Sequence, residues 1–209
     1  MNTFLDKINE NIRDNKILYL TIFTFFTVGV VLGIYTVFYM SDLSRNDLAS
    51  YFNNFMTVIG EKPIDYKFLL TEALRNNLLL LLGVFVIGLL VVGAPIILIL
   101  ILFKGFLIGF TFSLIINILG TKGIGLALIA VIPQNLIYVP CFIVCSAFSI
   151  QLSIVKLKGK INKAHQTKEY MSQYFNLYIV CFFLLILGVF VETYIIPNLI
   201  KFIITKIYV

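Results

Sequence analysis

Lys104 is the one charge between Leu78 and Thr121. An ammonium group at the centre of a hydrocarbon slab costs about 2.5–3.5 kcal/mol on insertion scales, so it must meet protein, water or a counter-charge. Glu192 is the matching acid, alone in the apolar stretch 177–197, and could pair with it. Between them stands "PQNLIYVP" at 133–140. Pro133 and Pro140 each delete a helical N–H, which deprives the carbonyls of Ile129 and Leu136 of their usual donors. Gln134 and Asn135 carry amides that could serve such carbonyls. Broken backbone at membrane depth persists only against protein or a water-filled cavity. Two readings stay open: a kinked structural helix satisfied by its own amides, or a broken helix lining a transport site.

Other reactive side chains are sparse. The lone histidine, His165, lies in a charged stretch. No serine or cysteine stands beside a base, and neither a metal-spaced cluster nor a phosphate-cradling glycine loop occurs. Cys141 and Cys145 share a helical face at i, i+4, and with Cys181 they read as small apolar packing residues. The chain therefore reads as no enzyme, without cofactor or metal.

These residues must be positioned by elements that lipid surrounds. Of the 209 residues 60% are apolar and 12% charged, and the mean hydropathy is +1.02, a composition that water cannot wet. A bilayer core about 30 Å thick takes roughly 20 apolar residues per helix. The apolar runs predict an all-α polytopic transmembrane helical bundle of about five spans, forming a single integral membrane domain over 1–209. The spans fall at about 17–40, 72–93, 95–120, 123–155 and 177–197. The cut between the second and third is placed at "GAP", Gly93 to Pro95, because glycine permits a tight reversal and proline suits a first helical turn. Span 123–155 is about 50 Å long at 1.5 Å per residue, so it must tilt, kink or dip and return.

The net charge of +6 could suggest nucleic acid. Five of the lysines, Lys156, Lys158, Lys160, Lys163 and Lys168, instead crowd the short segment 156–176 between two spans. That density reads as a cytoplasmic loop and places the N-terminus in the cytoplasm. The outer segment 41–71 then holds Leu48, Phe52, Phe55, Met56 and Ile59 at helical spacing: an amphipathic helix on the interface, or a docking surface for an extracellular partner. Gly105, Gly109, Ser113 and Asn117 form an i+4 stripe of small or polar residues along the third span. Such a stripe lets another helix approach closely, or lines a path for substrate.

Three pieces of the chain resemble the stage II sporulation protein M family of spore-forming bacteria: Asn76-Asn77 at the head of the second span, "FKGFLIGF" at 103–110 and "PQNLIYVP" at 133–140. The five-span plan with its basic last inner loop fits as well. The resemblance implies a non-enzymatic scaffold in the cell membrane. It would recruit the membrane-anchored sporulation proteins D and P, which remodel septal peptidoglycan during engulfment, to the septal or engulfing membrane. The residues alone leave an alternative, a small transporter or channel lined by Lys104, Gln134, Asn135 and Glu192. Oligomeric state is not legible.

Overall fold

In hydrocarbon every backbone N–H and C=O must be paired inside the chain, and a helix does this locally. The computed structural model describes residues 4–61, 63–157 and 164–205, and among them no strand occurs. In order come α1 (Phe4–Asp14), α2 (Lys16–Phe38), α3 (Asp42–Glu61), α4 (Tyr66–Gly88), α5 (Gly93–Leu119), α6 (Gly123–Leu157), α7 (Ala164–Phe190) and α8 (Ile196–Ile203). A π-helical turn, Val191–Ile195, joins α7 to α8. Five helices are long and apolar enough to cross a membrane: α2, α4, α5, α6 and the continuous run Tyr174–Ile203. Only 17–33% of the most apolar stretch of each is buried within the chain. The remaining apolar surface requires lipid, and the protein is a multi-pass membrane protein.

The boundaries differ from the expected ones where charge misled. Helix α4 starts at Tyr66 rather than at 72, because Asp65 caps it by accepting the Phe68 N–H at 3.0 Å. Its first turns then carry an exposed Arg75–Glu72 pair at 3.3 Å. The fifth span runs from Tyr174 to Ile203, beyond 177–197 at both ends. The inner loop set at 156–176 is largely helix, since α6 continues to Leu157 and α7 begins at Ala164. Lys158, Lys160 and Lys163 lie outside the described residues, as do the side chains of His165 and Lys168. The outer segment 41–71 is mostly the helix α3.

Helix α6 settles the question raised by its prolines: it is one continuous helix with Pro133 and Pro140 inside it, with no re-entrant break. Its far end grips the turn between α4 and α5. Ser153 donates to Val91 O at 3.0 Å and accepts from the Ala94 N–H at 3.2 Å. Lys156 donates to Leu89 O at 2.8 Å. On the same side, Asn11 and Gln151 exchange two amide hydrogen bonds at 3.0 and 2.9 Å. At the opposite end Tyr66 donates to Asn198 at 3.1 Å and stacks on Tyr194. Hence α1, the 89–92 turn and the end of α6 share one membrane face, and α3, the start of α4 and α8 share the other.

The core has two parts. The larger joins Ile22 of α2, Leu81 and Val84 of α4, Ile97 and Ile101 of α5, Phe142 and Cys145 of α6, and Leu177 and Leu185 of α7. The smaller gathers Ile115, Leu126, Val131, Ile196 and Ile200, with Phe52, Met56 and Ile59 of α3 packed over it.

Candidate intramembrane polar site

Several of the polar residues singled out in the sequence meet in one cleft between α4 and α5, floored by α6. Its lining includes Asn76, Asn77, Lys104, Gln134, Asn135 and Glu192, around a volume of about 560 Å³. Lys104 is the twelfth residue of α5, well inside the span. Its ammonium lies 5.5 Å from the ring centre of Tyr138 and 5.4 Å from that of Phe142. The negative faces of these rings offset part of the lost hydration. The ion pair with Glu192 does not form: among the described residues the close pairs are Arg13–Asp14, Arg45–Asp42 and Arg75–Glu72. Both residues line the cleft without forming an ion pair.

Glu192 is held by Tyr138, whose hydroxyl donates to Oε2 at 2.7 Å, and by Asn77, whose Nδ2 donates to the same oxygen at 3.2 Å. Asn77 Nδ2 also donates to Ala73 O at 3.0 Å, which fixes the amide against α4. The π turn carries Glu192 and has a local cause. Pro197 has no N–H for the carbonyl of Thr193, and its ring would crowd that carbonyl in a regular α turn. The Ile196 N–H instead reaches back five residues to Val191 O.

Gln134 and Asn135 behave differently from the expectation. Their amide nitrogens donate to Ala130 O at 2.6 Å and Val131 O at 2.7 Å, not to the carbonyls of Ile129 and Leu136 that the prolines strand. A side-chain amide reaches the carbonyl four residues back on its own face, and Ile129 lies off that line. The oxygens Gln134 Oε1 and Asn135 Oδ1 remain buried without a partner.

The other candidates lie elsewhere. Pro133 is half-buried and Pro140 exposed on α6, and neither lines the cleft. Asn117 is exposed near the end of α5. Gly105 and Gly109 belong to a helix contact: a Cβ at either would collide with the backbone oxygens of Phe26 and Val30 on α2. Gly29 and Gly33 of α2 are their counterparts, pressed on the backbone of Leu102 and Phe106. Such mutual small-residue contact is how membrane helices approach closely.

The sequence reading missed Gly29, Gly33 and Tyr138. The first two are a GxxxG of their own inside the first run, and Tyr138 is four residues beyond Gln134 on the same face of α6. It also missed that Cys181 of α7 joins Cys141 and Cys145. The three sulfurs lie within 4.8 Å of one another, and they are the one such group among the described residues that could share an ion. They are buried in the apolar core, where Cys141 Sγ donates to Cys181 O at 3.4 Å.

The family model described as Stage II sporulation protein M matches residues 22–197, which take in the second to fourth spans whole, most of the first and fifth, and the whole cleft. The chain belongs to the stage II sporulation protein M family. Comparison with curated proteins and with solved structures gave no match. Family membership makes it a sporulation protein, and the five apolar helices place it in a membrane.

Proposed function

We propose that this stage II sporulation protein M family member is a non-enzymatic scaffold of the septal or engulfing membrane, which recruits peptidoglycan-remodelling enzymes during engulfment. The observation that carries this reading is the placement of α3. Its apolar side, Phe52, Met56 and Ile59, rests on the smaller core. Its other side raises Asp42, Asn46, Asp47, Ser50, Asn53 and Asn54 into the exposed layer, with Leu43 and Tyr51 at 81% and 76% exposure. A helical ridge mixing apolar and hydrogen-bonding groups suits a protein partner anchored in the same bilayer.

By the positive-inside rule the lysine-rich 156–168 segment lies in the cytoplasm, which puts α3 on the outer face. Wall-remodelling enzymes work there. The partners are the sporulation proteins D and P. The test is co-purification of the full chain with each from membranes. Scrambling residues 46–59 is expected to abolish capture while the protein stays in the membrane at normal level. Undiminished capture by the scrambled protein overturns α3 as the partner surface.

A further inference from the structure

The polar cleft is more than a structural accommodation of stray amides. In a bilayer, polar side chains that serve only the fold pair with each other. Here charged and amide side chains line one space, and not all of their polar atoms are matched. Lys104 makes no hydrogen bond or ion pair among the described residues. Gln134 Oε1 and Asn135 Oδ1 are buried and unpartnered. Both donors to Glu192 share Oε2.

The lining has one positive and one negative group, so it is neutral in sum. A ligand with net charge would leave one charge uncompensated at mid-membrane, and burial of an unpaired charge is heavily disfavoured. An overall neutral ligand with separated charges avoids this. Its acid group would meet the Lys104 ammonium. Its own ammonium N–H groups would meet Glu192.

A second, apolar cavity of about 520 Å³ adjoins the cleft beneath α3, lined by Phe52, Phe55, Met56, Leu114 and Ile196 among others. Thr111, Gln134 and Glu192 border both. The polar part spans residues 103–111 of α5, about 12 Å along the axis at 1.5 Å per residue. That is too short to seat a transmembrane helix, and the volume is in the range of small-molecule sites.

We propose that this joined cleft binds a zwitterion bearing a primary ammonium, an acid group and an apolar substituent. Two sources share that chemistry: a free apolar amino acid and a phosphatidylethanolamine headgroup with its chains. The proposal stands apart from the scaffold reading, since its assay contains no partner protein.

The experiment uses the full chain in nanodiscs, with thermal unfolding followed by reaction of its buried cysteines with a thiol dye. L-leucine is titrated in phosphatidylglycerol discs. In parallel, phosphatidylethanolamine or phosphatidylcholine replaces part of the phosphatidylglycerol. A rise in the unfolding midpoint with leucine assigns the site to a free solute, and a rise with phosphatidylethanolamine alone assigns it to lipid. In either case Lys104→Met and Glu192→Gln should weaken the apparent affinity at least tenfold, whereas Lys104→Arg should restore most of it. Should those variants fail to fold, Gln134→Leu must still weaken binding at least threefold. The proposal is overturned if neither probe shifts the midpoint, if phosphatidylcholine, which lacks ammonium N–H groups, shifts it equally, or if the variants bind as the parent does.

Discussion

The Tyr138 hydroxyl donates to Glu192 Oε2 at 2.7 Å, tying the middle of α6 to the π turn that ends α7. Tyr138 is 2% exposed, so its phenol has no water to turn to. Tyr138→Phe removes a hydrogen bond to a carboxylate and is expected to destabilise the fold by about 1.5–3 kcal/mol. Asn77→Leu should cost less, because its contact at 3.2 Å is longer. Since both serve one oxygen, the double variant should depart from additivity by more than about 0.5 kcal/mol in detergent unfolding curves.

Between α2 and α5 the backbones touch through glycines on both sides. Gly29→Leu or Gly105→Leu is expected to separate the pair, at a cost of about 1–3 kcal/mol or more from overpacking. Gly83 and Gly125 serve as controls, since a Cβ at either meets nothing within 4 Å. Gly83→Ala should be neutral or stabilising by up to about 1 kcal/mol, because alanine narrows the unfolded ensemble. Thermal unfolding of these three variants and Gly125→Ala side by side checks the contrast.

The amides of Gln134 and Asn135 support carbonyls that the prolines have not orphaned. Gln134→Leu and Asn135→Leu should therefore each cost at most about 1 kcal/mol, because each change also removes a buried oxygen without a partner. A loss of several kcal/mol in detergent would show that these amides hold the helix together.

Sidedness can be checked by labelling. With the three native cysteines replaced, single cysteines at Leu90 in the α4–α5 turn and at Asn54 on α3 lie at exposed positions on opposite membrane faces. An impermeant maleimide added to intact cells should label position 54 and spare position 90 until the membrane is permeabilised. Labelling of both from one side would contradict the helix arrangement.

The spans were legible because lipid imposes one rule on every apolar run, and the reversal near Gly93 was legible because glycine and proline punctuate it. The partners of Lys104 and Glu192 were not. Each looked like half of an ion pair, since charge is the loudest signal in an apolar sequence. Tyr138, silent by composition, is what Glu192 binds and part of what Lys104 faces. The Gly29–Gly33 contact was hidden for a similar reason: two glycines in a long apolar run gain meaning only when Gly105 and Gly109 lie opposite. The early start of α4 depended on the Asp65 cap, a single-residue effect that hydropathy cannot register.

The π turn at Val191–Ile195 sets the azimuth of everything after it. One surplus residue in a helical turn rotates the following segment by about 100° relative to an uninterrupted α-helix. Ile196, Pro197 and Ile200 are buried in that rotated frame. Were the turn to relax to α geometry with all of its residues kept, hydropathy and length would be unchanged, yet those three side chains would swing about 100° away from the core; deleting one residue between 191 and 195 as the turn relaxed would instead hold them in phase. For this chain, then, the tolerance of its last span to insertion and deletion is governed by angular phase and not by how greasy the segment is.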